Sequence, residues 1–171
     1  ATSDSITFTA NITPSSDGQV TVDVLSNVAQ DPAGNWNMGA SSFFRTYDAT
    51  VPSLVLATAS PDPTNSTPIS VTATFSEQVG NFSLGDILVT NGTPYNYATA
   101  DGMVYTFDVG PSGDGLITIN VNAGAAQDPA GNNSTAAAQI SRIYDGTFPQ
   151  VALSSTAPMA TLIPRLRSML A

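Results

Sequence analysis

No cysteine, no histidine and no lysine occur in these 171 residues. Without thiols the chain has neither a disulfide nor a thiolate zinc site. Without histidine or lysine it supports neither serine–histidine nor cysteine–histidine catalysis, and no Schiff base. A glycine-rich phosphate loop of the expected form is missing. No apolar run approaches the roughly 20 residues needed to cross a bilayer, and the chain opens without a signal peptide, as an internal piece of a longer protein would. Positive charge is scarce: Arg45, Arg142, Arg165 and Arg167 are the only basic residues, against a net charge of −9. Nucleic acid and anionic membranes are therefore repelled, and neither a nucleic-acid partner nor membrane insertion is expected. An acidic, soluble, extracellular protein fits this composition. Helical periodicity is absent before Pro158.

What is present is a repeat. Ala29-Gln30-Asp31-Pro32-Ala33-Gly34-Asn35 returns unchanged as Ala126-Gln127-Asp128-Pro129-Ala130-Gly131-Asn132, 97 residues later. The match continues without a gap on both sides. Asp17-Gly18 falls on Asp114-Gly115, Val20-Thr21-Val22 on Ile117-Thr118-Ile119, and Arg45, Tyr47-Asp48, Thr50 and Pro52 on Arg142, Tyr144-Asp145, Thr147 and Pro149. A fixed period of this length signals an array of small domains. It divides the chain into the second half of one repeat at 1–48, a complete repeat at 49–145, the start of another at 146–158, and a non-repeat tail at 159–171.

Strand signals fill the repeats. Ile69, Val71, Ala73 and Phe75 alternate with small polar residues, as do Tyr105, Phe107 and Val109, and Ile117, Ile119 and Val121. Period two with one apolar face predicts half-buried strands. Turn chemistry separates them at Pro61-Asp62-Pro63, Asn91-Gly92, Asp101-Gly102, Ser112-Gly113-Asp114-Gly115 and Asp128-Pro129-Ala130-Gly131-Asn132. The expectation is an all-β, antiparallel sandwich. Seven strands are predicted in the complete unit, near 51–58, 68–76, 86–91, 95–100, 103–110, 115–123 and 135–144. Three are predicted in the front half, near 5–13, 19–27 and 40–47. The predicted core is Leu54, Leu56, Ile69, Val71, Phe75, Ile87, Tyr105, Phe107, Ile117, Ile119, Val121 and Ile140. Tyr95, Tyr97 and Tyr105 read as core or cross-strand residues, with a carbohydrate platform as the alternative.

The run Thr67-Pro68-Ile69-Ser70-Val71-Thr72-Ala73-Thr74-Phe75-Ser76-Glu77, then Gly85-Asp86-Ile87, then Asp128-Pro129-Ala130-Gly131-Asn132, then Tyr144-Asp145 and Pro149, resembles the bacterial immunoglobulin-like repeats of large surface and adhesin proteins. The resemblance extends from residue 1 to about 157. It implies an immunoglobulin-like sandwich repeated in tandem as an extracellular or cell-surface stalk, and it implies no activity by itself.

After Pro158 the resemblance stops. Met159 to Ala171 carries three apolar clusters and half of the arginines. A back-translation with chosen synonymous codons, read one frame over, restores a string similar to the start of the next repeat. Residues from about 159 are therefore read as out-of-frame translation, with a native amphipathic or terminal segment as the alternative.

With His, Cys and Lys gone, carboxylates carry what chemistry remains: twelve aspartates and one glutamate, Glu77. In a sandwich of this kind the Asp128 loop, the loop holding Glu77 and the linker residue Asp48 lie at the end where the preceding unit joins. Carboxylates and amide oxygens converging there suit a hard cation, so Asp48, Glu77, Asp128 and Asn132 are the candidate calcium ligands. The competing reading is that these are turn residues bonding their own backbone. No other cofactor is expected.

Two functions follow. One is a spacer of a repetitive adhesin, rigidified by calcium if the junction binds it. The other is a weak or promiscuous metal-assisted hydrolase of esters or phosphoesters, arising from a library-derived fragment, with a carboxylate-bound ion activating water. The front half also lacks the strands that complete the sandwich. Phe8, Ile12, Val20, Val22, Val24 and Phe43 should then form an open apolar face. Self-association through that face is expected, by strand exchange in a dimer or by head-to-tail addition of residues 148–156, with or without the apolar tail.

Overall fold

The alternating segments form the strands, and the turn residues end them. The computed structural model describes residues 6–156, so the tail at 159–171 lies outside the described residues. In the front part, β1 (Gly18–Val22) pairs with β2 (Phe43–Tyr47) as an antiparallel two-stranded sheet. The complete unit contributes β3 (Leu54–Ala57), β4 (Ile69–Phe75), β5 (Ile87–Thr90), β6 (Gly92–Thr99), β7 (Val104–Pro111), β8 (Gly115–Val121) and β9 (Ile140–Tyr144). These make two antiparallel sheets, ordered β3-β4-β7-β6 and β5-β8-β9. A single 3-10 turn, Leu84–Asp86, is the one helical element among the described residues.

The core lies between the two sheets. Inner faces of β3, β4 and β7 supply Leu54, Leu56, Ile69, Val71, Ala73, Phe75, Tyr105, Phe107 and Val109, and those of β5 and β8 supply Ile87, Ile117, Ile119 and Val121. Of the predicted core, only Ile140 is less than fully buried, on the edge strand β9. Val79, Phe82 and Ala126, which lie in loops, join the core as well. Phe75 meets Phe82 and Tyr105 edge-on, with centroids 5.3 and 5.7 Å apart. Tyr97 stacks on Tyr105 at 5.5 Å. Such pairs add about 0.5–1.5 kcal/mol each beyond area burial. Tyr105 is thus a core residue and Tyr97 packs against the core. Tyr95, at 39% exposure, stands apart.

The break at Asn91-Gly92 begins a strand two or three residues earlier than expected. Asn91 turns the chain at φ 54°, and β6 then starts at Gly92. A Cβ on Gly92 would come within 2.9 Å of Val109, so only glycine lets β6 approach β7 there.

Two departures sit in the front half. The strand expected at 5–13 is absent: the described part, 6–13, forms none. Its repeat counterpart β7 is held between β4 and β6, and among the described residues the front half contains the equivalent of neither. Without the sheet neighbours that β7 has, alternation alone does not make this segment a strand. The strand expected at 19–27 closes at Val22. Its counterpart β8 extends to Val121 because Ile87 and Leu88 of β5 pair with Val121 and Asn120. Among the described residues β1 pairs with β2 alone, so it ends where its pairing with Phe43 ends.

Candidate functional site

The recurring Asp-Pro-Ala-Gly-Asn segment builds the same loop twice. In the complete unit, Asn132 donates its backbone N–H to Asp128 Oδ1 at 2.8 Å and its Nδ2 to Asp128 Oδ2 at 2.8 Å. In front, Asn35 donates to Asp31 Oδ1 at 2.8 Å and to Oδ2 at 2.9 Å. The Gly131 N–H reaches Asp128 O, as Gly34 reaches Asp31 O. Gly131 and Gly34 adopt φ 96° and 88°, the left-handed region that favours glycine. Burial works to raise the Asp128 carboxyl, but the Asn132 side chain, the Asn132 amide and neighbouring amides outweigh it and leave it lowered. Part of the segment's chemistry is therefore turn chemistry, as the competing reading has it.

The loop also faces outward to a junction. Gly80 and Gln127 pair as an antiparallel bridge, which sets the Asp128 loop beside the loop leaving β4. Ser53 and Ser76 exchange hydrogen bonds at 2.9 Å and hold that second loop to the start of the unit. Glu77 follows directly. From the other side, Asn132 Nδ2 donates to the Asp48 carbonyl at 3.1 Å and draws in the linker. As a result Asp48, Glu77 and Asp128, far apart in sequence, present carboxylate oxygens within 4.8 Å of one another. Asp128 is buried, and Asp48 and Glu77 are half-buried. Asn132 is adjacent, but it turns a donor nitrogen toward the acids, so it braces Asp128 and offers no oxygen through that contact.

Glu77 Oε1 is buried with no hydrogen-bond partner. Burial raises the Glu77 carboxyl above its ordinary value, and the charges of Asp48, Asp128 and Asp17 raise it further. The chain lacks lysine and histidine to offset these acids. Both described arginines engage main-chain carbonyls: Arg142 those of Ser60, Ser141 and Thr58, and Arg45 that of Phe44. Hard oxygen donors at this spacing fit a divalent cation. Calcium–oxygen distances of about 2.4 Å place two ligands up to about 4.8 Å apart.

The linker carries a second device that the sequence reading passed over. Asp17 accepts the Ala49 N–H at 2.8 Å and the Thr50 hydroxyl. At the next linker Asp114 accepts the Gly146 N–H at 2.7 Å and the Thr147 hydroxyl. The pairs differ by the repeat period, so each Asp-Gly turn clamps the linker that leaves its own unit. The coincidence of Asp17 with Asp114 was the available signal. The Thr147 hydroxyl, then the Gly146 amide, lower the Asp114 carboxyl below its ordinary value of 3.8. A carboxyl lowered on folding adds stability above its unfolded value and loses it as pH falls through the lowered, folded value. The Gly146 amide resonance should therefore follow the Asp114 carboxyl, with a midpoint below that of an unperturbed aspartate. In Asp114→Ala that amide should exchange faster with solvent, and the pH-dependent stability from the lowered carboxyl should be lost. An equally protected amide in the variant would remove the clamp from this account.

Against known proteins, the model of the bacterial Ig-like domain family matches residues 48–144, more than half of the chain. No curated protein and no solved structure matches it.

Proposed function

Because the chain belongs to the bacterial Ig-like domain family, we propose that it is a structural spacer of an extracellular or cell-surface adhesin, stiffened by a calcium ion where successive units meet. The observation that carries this reading is the convergence of Asp48 from the linker with Glu77 and Asp128 from two loops of the following unit. A ligand shared between linker and unit ties one repeat to the next, as a stalk requires. The unpartnered Glu77 Oε1 supports it, because a buried acceptor without a donor is costly unless something cationic meets it. Asp48, Glu77 and Asp128 would hold the ion, and Asn132 would keep Asp128 aimed. The ion would supply positive charge to a cluster that otherwise repels itself, and no reaction is required of it. The Asp17 and Asp114 clamps support the same role by shortening the free length of each linker.

Thermal unfolding in millimolar calcium, compared with chelator, tests the reading. Calcium bound only to the folded state raises the melting temperature with concentration. An unchanged curve would remove calcium and leave a spacer held by the clamps alone.

A further inference from the structure

Glu77 sits on a short span between two anchors. β4 ends at Phe75, and the 3-10 turn begins at Leu84, so Glu77 lies in the loop that joins them. Ser76, just before it, exchanges hydrogen bonds with Ser53. Val79, two residues after it, is gripped at both backbone groups by the hairpin of β6 and β7. Its N–H donates to Gly102 O at 2.8 Å, and its carbonyl accepts the Tyr105 hydroxyl at 3.0 Å. Val79 and Tyr105 are both buried. Gly102 suits this grip: it turns the hairpin at φ 69°, and a Cβ there would come within 3.2 Å of Val79 O. Gly80 then bridges to Gln127 and so to the Asp128 loop. Only Glu77 and Gln78 lie between the anchors at Ser76 and Val79. Tyr97 makes a similar contact further along the loop. Its hydroxyl donates to Phe82 O, beyond the Gly80–Gln127 bridge. The Tyr97 and Tyr105 rings stack, so the two hydroxyls share one part of the core and differ in which stretch of the loop they hold.

We propose that Tyr105 is a positioning residue for the cation at the junction: its hydroxyl fixes the Val79 carbonyl, and with it the reach of Glu77 toward Asp48 and Asp128. The inference rests on the calcium reading of that cluster. Glu77 Oε1 has no hydrogen-bond partner of its own, so the backbone on either side must set where that oxygen lies. A binding constellation needs its groups held within about 0.5 Å of the productive geometry. Tyr105 can supply that precision, because β7 lies inside its sheet between β4 and β6. Without the hydroxyl, Val79 O is a buried acceptor that has lost a donor, and the loop relaxes toward another.

Equilibrium dialysis of calcium against the full chain tests this, with each protein at a temperature where it is fully folded. Tyr105→Phe keeps the ring and removes only the hydroxyl. It should weaken calcium binding about tenfold, the lower end of what supporting hydrogen bonds around metal ligands contribute. Tyr97→Phe loses a hydroxyl bond to the same loop and should bind calcium as the wild type does. Both variants should melt lower in chelator, since each loses a hydrogen bond inside the fold. A purely structural role ends with that loss and leaves affinity alone. An unchanged dissociation constant in Tyr105→Phe, with the wild type binding, would overturn the proposal and leave the calcium site standing. Equal weakening in both variants would point to general loosening of the loop and overturn it too. A wild type that binds no calcium would overturn the calcium reading itself, and this proposal with it.

Discussion

Replacing Phe75 by alanine should destabilise the complete unit by about 3–5 kcal/mol in urea unfolding, the usual cost of removing a buried aromatic. Phe75 is 1% exposed, closes β4 and meets two rings, so its loss opens a cavity and removes two edge-on contacts. Ile119→Ala, on the facing sheet, should cost about 2–5 kcal/mol for the same reason. Ile119 pairs with both Val89 and Ile140, which keeps β8 from shifting to fill the space. The two residues belong to opposite sheets of one core, so either loss should unfold β3 to β9 together in a single transition. A loss below about 0.5 kcal/mol at Ile119, within the range of surface substitutions, would place the wrong face of β8 inward.

Calcium should produce the other large effect. At a hundredfold excess over its dissociation constant, a ligand of the folded state alone adds about 2.7 kcal/mol. For a unit of this size that is on the order of 10–20 °C in melting temperature. Glu77→Gln gives the sharper result. It keeps the shape of the side chain while removing a charge that faces Asp48 and Asp128. In chelator the variant should melt no lower than the wild type, because a like-charge contact is gone. In calcium the wild type should overtake it. A variant that melts lower in chelator and still rises with calcium as the wild type does would show that Glu77 is a packing residue and not a ligand.

The alternation of Ile69, Val71, Ala73 and Phe75 was enough to orient β4, because period two with one apolar face admits a single inward set. The same alternation at Phe8, Ala10 and Ile12 misleads. Local pattern says which face would be buried, but a strand also needs partners, and those at β7 come from β4 and β6. The convergence of Asp48, Glu77 and Asp128 was legible from loop positions in a sandwich of this connectivity. The role of Asn132 was not, because an amide offers both an acceptor and a donor, and only its contacts with Asp128 and the Asp48 carbonyl show which is used. Asp17 and Asp114 read as turn residues, and so they are. Their grip on Thr50 and Thr147 spans 33 residues and has no local signature. Val79, Phe82 and Ala126 lie outside any strand, so periodicity could not mark them as core.

The central claim is that calcium stiffens the junction between units, and a distance across that junction tests it. The chain has no cysteine, so Thr21→Cys on β1 and Thr74→Cys on β4 place two spin labels on exposed positions and nowhere else. Double electron–electron resonance should give one narrow distance distribution in calcium. In chelator the Asp17 clamp still limits the linker, but the tie from Asp48 to the two loops is lost, and the distribution should broaden. The same width with calcium and with chelator would contradict the account.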